Sequence, residues 1–312
     1  MAIKRRGGCA LLAALSAVCL LAECGGGQSA VGSKSSSSAA LPTAPSSGAV
    51  PSAPLTLVGA GDIAMCGYLD GAYQTAALLD SIPGTVFTMG DDAQLYGTAD
   101  EYLNCYAPTW GRQLLRTRPA PGNHDYLSGG QPYYEYFGER AGPAGLGYYH
   151  YTMGAWQVYS LNSEIPASET SPQGEWLRRE LASNRSECTL AYWHRPLFSS
   201  GKIGNNTDVR DLYKILYDAG AEVVVNGHDH VFERFAPQDP DGRPDPDRGI
   251  REFIVGTGGS PLSGIANVKA NSESRANTWG VIVFTLSGGS YQWSFMSAGT
   301  NKFTDSGAGA CH

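Results

Sequence analysis

Four short apolar runs in this chain, and a fifth, more polar stretch, each lead into a residue that can donate a lone pair, and that recurrence limits the folds open to it. Leu55-Thr56-Leu57-Val58-Gly59-Ala60-Gly61 ends in Asp62. Thr85 to Gly90 ends in Asp91, with Asp92 beside it as the expected cap of whatever follows. Arg116 to Pro121 leads into Gly122-Asn123-His124-Asp125. Thr189-Leu190-Ala191-Tyr192-Trp193 ends in His194. Ala221 to Asn226 ends in Gly227-His228-Asp229-His230. Apolar runs of this length, bounded by turn residues and separated by helical patterns, predict buried strands of an α/β sheet. Such sheets bind ligands at the carboxyl ends of their strands, which is where these residues fall.

The segments between the runs fit that rhythm. Residues 72–82 read as a helix, as do 101–115, 172–183 (opening after Ser171) and 208–219 (closed by Gly220). Further strands are expected at 156–161, 253–255, 280–286 and 291–295. Any one Gly-Asp or strand-end histidine is ordinarily a turn residue, a cap or a packed imidazole. The set is different. Of the six histidines in the chain, four (His124, His194, His228 and His230) lie in these turns, and Asp62, Asp91 and Asn123 add oxygen donors. Mixed imidazole and carboxylate donors suit zinc, iron or manganese better than calcium.

These pieces, taken in order, resemble the calcineurin-like metallophosphoesterase superfamily, most closely its purple-acid-phosphatase-like branch. The matching residues are Gly61-Asp62, Gly90-Asp91, Gly122-Asn123-His124-Asp125, Tyr192-Trp193-His194-Arg195-Pro196 and Gly227-His228-Asp229-His230, which together cover most of residues 55–303. The resemblance implies a four-layer α/β/β/α sandwich of two mixed sheets flanked by helices. It implies two metal ions (iron, zinc or manganese) bridged by Asp91, one also held by Asp62 and His230, the other by Asn123, His194 and His228. It makes His124 the non-ligand histidine near the leaving group, with Asp125 orienting it. The implied activity is hydrolysis of small phosphate monoesters by metal-activated water. A phosphodiesterase or nucleotidase on the same centre is the alternative within enzymes, and a degenerate metal- or phosphate-binding protein the alternative outside them.

Two positions depart from the family pattern. Many members carry a histidine two residues after the first aspartate, where this chain has Ala64. The purple branch carries a tyrosine three residues after the bridging aspartate, where this chain has Gln94. The first metal position therefore needs Gln94, a water, or Tyr96 from two residues further on.

The ends of the chain speak to location. Lys4, Arg5 and Arg6 precede an Ala/Leu-rich stretch from Ala10 to Ala22, the pattern of a secretory signal. The following Glu23-Cys24-Gly25 resembles a bacterial lipobox, which implies membrane attachment through a lipidated Cys24, although Glu23 stands where a small residue is usual. Residues 25–54 are Gly, Ser, Ala and Pro with almost no large apolar side chain, a tether with a reach on the order of 30 Å. The expected organisation is signal 1–24, linker 25–54 and catalytic domain 55–312, outside the cytoplasm. Cys66, Cys105, Cys188 and Cys311 remain in the folded part; in an oxidising compartment they predict two disulfides, with Cys66–Cys105 and Cys188–Cys311 preferred. A thiolate ligand at Cys66 is the rival reading. A net charge of −7 without a basic cluster beyond residues 4–6 argues against a nucleic-acid surface. Arg234 is expected to pair with a nearby acid, and 239–247 to be a solvated loop.

Overall fold

The computed structural model describes residues 53–312, so the expected signal, the lipidation at Cys24 and nearly all of the tether lie outside the described residues. Two mixed sheets carry the fold. The first runs in the order 304–310, 290–297, 280–287, 55–60, 85–89, 117–120, its last three strands parallel. The second runs 272–276, 232–235, 251–255, 223–226, 188–192, 156–160, 149–153, with a parallel centre from 251–255 to 156–160. Aromatic pairs join the sheets face to face: Phe87 on Tyr192 at 5.1 Å, Phe253 on Phe284 at 5.4 Å and Phe232 on Phe295 at 4.2 Å between ring centroids. Pairs of this kind add about 0.5–1.5 kcal/mol each beyond the area they bury.

Helices close the outer faces. Helix Asp70–Ser81 buries Ala72, Thr75, Ala76 and Leu79, the spacing of one helical stripe, against the first sheet. Helices Pro172–Ser183 and Arg210–Asp218 bury Leu177, Leu212 and Leu216 with Val224 of the second sheet. Ser171 accepts a hydrogen bond from the Gly174 N–H (3.1 Å) and Pro172 occupies the first turn, which sets the helix start where the sequence places it. The result is the α/β/β/α layering expected.

The helix predicted over 101–115 is broken. A turn at Ala99–Glu101 continues into a wide turn at Tyr102–Tyr106, and a separate tight turn occupies Trp110–Arg116. Pro108 has no N–H to donate and crowds the residue before it, so the pattern cannot run through. Strand Thr304–Ala310 is not legible in the sequence, since TDSGAGA lacks β-branched and aromatic residues apart from its threonine. It pairs with 290–297, and at Gly307 a Cβ would lie 2.3 Å from the Trp293 ring, so only glycine lets that ring lie flat against the backbone.

Both disulfides form as preferred, Cys66–Cys105 and Cys188–Cys311, each with Cα atoms 5.5 Å apart, so Cys66 is not a thiolate ligand. Arg234 pairs with Asp305 at 2.8 Å and with Glu273. Among the described residues no helix is long and apolar enough to cross a membrane.

Candidate metal centre

The donors come from both sheets. Asp62, Asp91 and Asn123 follow the parallel strands 55–60, 85–89 and 117–120 of the first; His194, His228 and His230 follow 188–192 and 223–226 of the second. Backbone hydrogen bonds stitch these ends together, from Gly61 N–H to the Val255 carbonyl (2.9 Å) and from Asp62 N–H to the Gly90 carbonyl (3.0 Å).

Around His194 Nε2 lie Asn123 Oδ1 at 3.1 Å, Asp91 Oδ2 at 3.2 Å and His228 Nδ1 at 3.0 Å. The ligand atoms of Asp91, His194 and His228 all fall within 4.8 Å of one another, and all three residues are buried. Donors sharing one ion at bonds of about 2.1 Å sit about 3 Å apart, so this spacing fits a common cation. The far side of His194 is fixed: its Nδ1 lies 2.8 Å from the Met89 carbonyl, which holds the proton there and turns Nε2 inward. A second group stands beside the first. His230 Nε2 lies 3.1 Å from Asp62 Oδ1, while its Nδ1 faces the Pro261 carbonyl at 2.7 Å. Asp62 Oδ1 is buried with the His230 ring as its polar neighbour, and Asp62 Oδ2 accepts from the His228 N–H at 2.8 Å.

Charge follows the same geometry. Burial would raise the Asp91 carboxyl, but His194 and His124 outweigh it and hold its pKa down at about 2. Burial opposes protonation of His194, yet Asp91 and then Asp62 lift it to about 10; His230 rises to about 9 beside Asp62. His228 goes the other way, to about 2, through burial and the neighbouring His194 and Arg195. His194 and His230 are thus both biased toward their protonated forms by the carboxylates they face.

The backbone is strained at the same places. Asp62 (φ 59°), Asp91 (φ 54°) and His228 (φ 71°) are the only non-glycine residues with positive φ among the described residues. That conformation costs roughly 1–2 kcal/mol at each, and such strain clusters where a site demands it. Gly90 (φ 80°) lets the chain turn just before Asp91; a Cβ there would sit 2.6 Å from Gly122 N and 2.8 Å from His194 Nδ1.

Several expectations change. His124 sits at the rim with its side chain 30% exposed and Nε2 3.8 Å from Asp91 Oδ2. Its orienting partner is the Leu95 carbonyl, 2.5 Å from Nδ1, and not Asp125. The Asp125 carboxylate turns away into the core, accepting from Asp91 N–H and Gly122 N–H (2.8 Å each) and Tyr102 OH (2.6 Å). It therefore shapes the loops that carry Asp91 and Asn123. Burial, then Asp91, raises its pKa to about 7. Gln94 is buried against the centre, its amide nitrogen 3.4 Å from Asp91 Oδ2 and its oxygen held by Ser260 Oγ at 3.0 Å. Tyr96 does not join the cluster: Glu101 takes the Leu95, Tyr96 and Thr98 N–H groups, fixing a loop that leaves Tyr96 60% exposed. Asp92 caps no helix, because a two-residue strand follows it and pairs with 64–65. It is buried, and desolvation reinforced by Asp125 pushes its carboxyl well above the usual range. Asp229, between the paired histidines, anchors the 199–204 loop by accepting from Ser199 Oγ, Ile203 N–H and Gly204 N–H. Backbone carbonyls that orient imidazoles leave no mark in a sequence, which is why Met89, Leu95 and Pro261 do not stand out in it.

Comparison with known proteins gives one consistent answer. The sequence model of the calcineurin-like phosphoesterase family matches residues 55–232. Purple acid phosphatase 15 of Arabidopsis thaliana is 27% identical over 216 residues, covering 56% of this chain and 41% of that protein. Purple acid phosphatase 21 of the same plant is 30% identical over 96 residues, covering 29% of this chain and 22% of that one. This chain thus spans less than half the length of either relative. Among solved structures, the purple acid phosphatase PPD1 from yellow lupin seeds superposes with a TM-score of 0.69 at 19% identity, over 82% of this chain and 54% of that one. GAP50, the anchor in the inner membrane complex of Plasmodium, gives 0.63 at 16% identity, over 81% and 88%. At those identities the two structures speak for the fold.

Proposed function

Because the chain belongs to the calcineurin-like phosphoesterase family and has purple acid phosphatases among its relatives, we propose that residues 55–312 are the catalytic domain of an exported dinuclear-metal phosphatase acting on phosphate monoesters. The observation that carries this reading is the convergence of six donors from two sheets on one edge, with positive φ at three of them. Asn123, His194 and His228 would hold one ion, Asp62 and His230 the other, and Asp91 both. Imidazole and carboxylate donors in this mixture suit zinc, iron or manganese. When bound, such a pair neutralises the phosphate and lowers the pKa of a coordinated water to about 7.

The remaining chemistry belongs to the chain. As the new P–O bond to water's oxygen forms and the P–O bond to the alcohol breaks, the leaving oxygen needs a proton. His124 would deliver one from Nε2, its other nitrogen being held by the Leu95 carbonyl. Asp125 positions the Asp91 and Asn123 loops through the N–H groups it accepts. Gln94, in place of the tyrosine of the purple branch, sets an amide beside Asp91. Two disulfides fit the oxidising compartment that the N-terminal sequence suggests. Elemental analysis of protein purified without added metal, together with rates on a monoester and a diester panel, tests the proposal. Two metals per chain with faster monoester turnover are expected; fewer than two, with no turnover under any metal supplement, would favour a binding protein.

A further inference from the structure

His124, at the rim of the centre, stands in apolar company. Its Nδ1 faces the Leu95 carbonyl at 2.5 Å. Leu95 itself is left 44% exposed, and Tyr96 beside it 60%. Leu127 closes the turn that opens at Asn123, its N–H donating to the His124 carbonyl at 3.2 Å. Residues three apart on a helical turn share a face, so Leu127 stands on the side of His124, and it is 58% exposed.

The backbone holds these three residues as one unit with His124. Glu101 accepts from Leu95 N–H (2.6 Å), Tyr96 N–H (3.0 Å) and Thr98 N–H (2.9 Å). Ser128 Oγ donates to the Gly97 carbonyl at 2.7 Å, tying that loop to the segment after His124. Gly97 has φ 64°, and a Cβ there would lie 2.5 Å from the His124 carbonyl oxygen and 2.6 Å from Asp125 Cα, so only glycine lets the two segments touch. A loop pinned this firmly keeps Leu95 and Tyr96 in water, and a surface already ordered costs little further entropy on binding.

We propose that Leu95, Tyr96 and Leu127 form an apolar shelf for the alcohol half of the substrate, and that the preferred monoesters carry an aromatic or other apolar leaving group. This rests on the phosphoesterase reading above and deepens it. If His124 protonates the leaving oxygen, the group attached to that oxygen emerges beside His124, against these side chains. An apolar group that covers them takes both surfaces out of water, and an aromatic one also finds the Tyr96 ring to pack on. A sugar or polyol gains nothing comparable. The two leucines offer no hydrogen bond, so its hydroxyls would give up water without finding a partner there.

The test uses the metal-loaded full chain and two esters with alkoxide leaving groups, 2-phenylethyl phosphate and glycerol 1-phosphate, so that the bond-breaking chemistry is closely matched. The wild type is expected to favour 2-phenylethyl phosphate about tenfold or more in kcat/KM. Tyr96→Ser and Leu127→Ser, checked for folding by circular dichroism and for metal content, should each lose part of that preference through a raised KM for the phenyl ester. The double variant should lose nearly all of it, whereas Tyr96→Phe, which keeps the ring, should retain it. A wild type without the preference, or serine variants that lose equally on both esters, would overturn the proposal. If the wild type turns over neither ester, the phosphatase reading fails, and calorimetric titration of the metal-loaded chain with 2-phenylethylphosphonate and methylphosphonate still decides the shelf. Tighter binding of the phenyl compound that is lost in the double serine variant upholds it; equal affinity, or no binding of either, removes it.

Discussion

If the proposed cations occupy this centre, stripping them and raising the pH should destabilise the folded domain, because protons on His194 and His230 would stand in for them. In the metal-free protein burial opposes protonation of His194, but Asp91 outweighs it and lifts the pKa from the ordinary 6.5 to about 10. His230 is lifted to about 9, chiefly by Asp62. Both folded values lie above the unfolded one. Each histidine therefore contributes stability that is complete below pH 6.5 and is lost as the pH rises through its folded value. At 1.36 kcal/mol per pH unit, the His194 interval is worth on the order of 5 kcal/mol and the His230 interval on the order of 3 kcal/mol. These figures are not summed with that of Asp91, whose lowered pKa expresses the same ion pair with His194. Urea denaturation of chelator-treated protein should show stability falling by several kcal/mol between pH 6.5 and 10, whereas metal-loaded protein should hold nearly level. At pH 7, calorimetric titration of metal in buffers of different ionisation enthalpy should register about one proton released per site. A metal-free stability curve that stays flat or rises across that interval would refute the reasoning, since no proton would then be holding the carboxylates together.

Three further outcomes are expected. His124→Ala should retain its metals but lose far more rate, about 100-fold or more, on alkyl phosphates than on activated aryl phosphates; equal loss on both removes the acid role. With Gln94 beside Asp91 and Tyr96 out at the surface, the holoprotein should be colourless or weakly coloured, and a strong visible band abolished in Tyr96→Phe would assign that tyrosine as a ligand after all. Opening the Cys188–Cys311 bond, which closes a separation of 123 residues, should cost about 5 kcal/mol by the chain-entropy relation, or about 10–20 °C in Tm for a domain of this size. Calorimetry of a Cys188→Ala/Cys311→Ala variant measures it; an unchanged Tm would show that strand pairing alone holds the last strand.

Each strand end can be read along the chain. Apolar runs of five to seven residues specify four of the buried strands, and the turn after each strand is local chemistry, so Asp62, Asp91, Asn123, His194, His228 and His230 all stand out from the sequence alone. The helix at 172–183 is equally local, because Ser171 and Pro172 sit beside it in sequence. The expectations that fail depend on distant partners. Asp125 looks like a partner for His124 because it is adjacent, yet its carboxylate reaches back 34 residues to the Asp91 N–H. Tyr96 looks available until Glu101 is seen to pin its loop.

The sequence by itself therefore determined which side chains end the strands, that the sheets are buried and α/β in rhythm, and which chemistry six such donors can support. Only the tertiary structure decided that three donors from one sheet and three from the other meet at a single edge, since that depends on how two sheets face each other across Phe87, Tyr192, Phe253 and Phe284. It alone also decided the orientation of each imidazole, because carbonyls set the rings of His124, His194 and His230, and a carbonyl is present at every residue. The same holds for Arg195. Its neighbour His194 is adjacent in the chain, but the Glu164 that pairs with it lies 31 residues away, and only folding brings the two together.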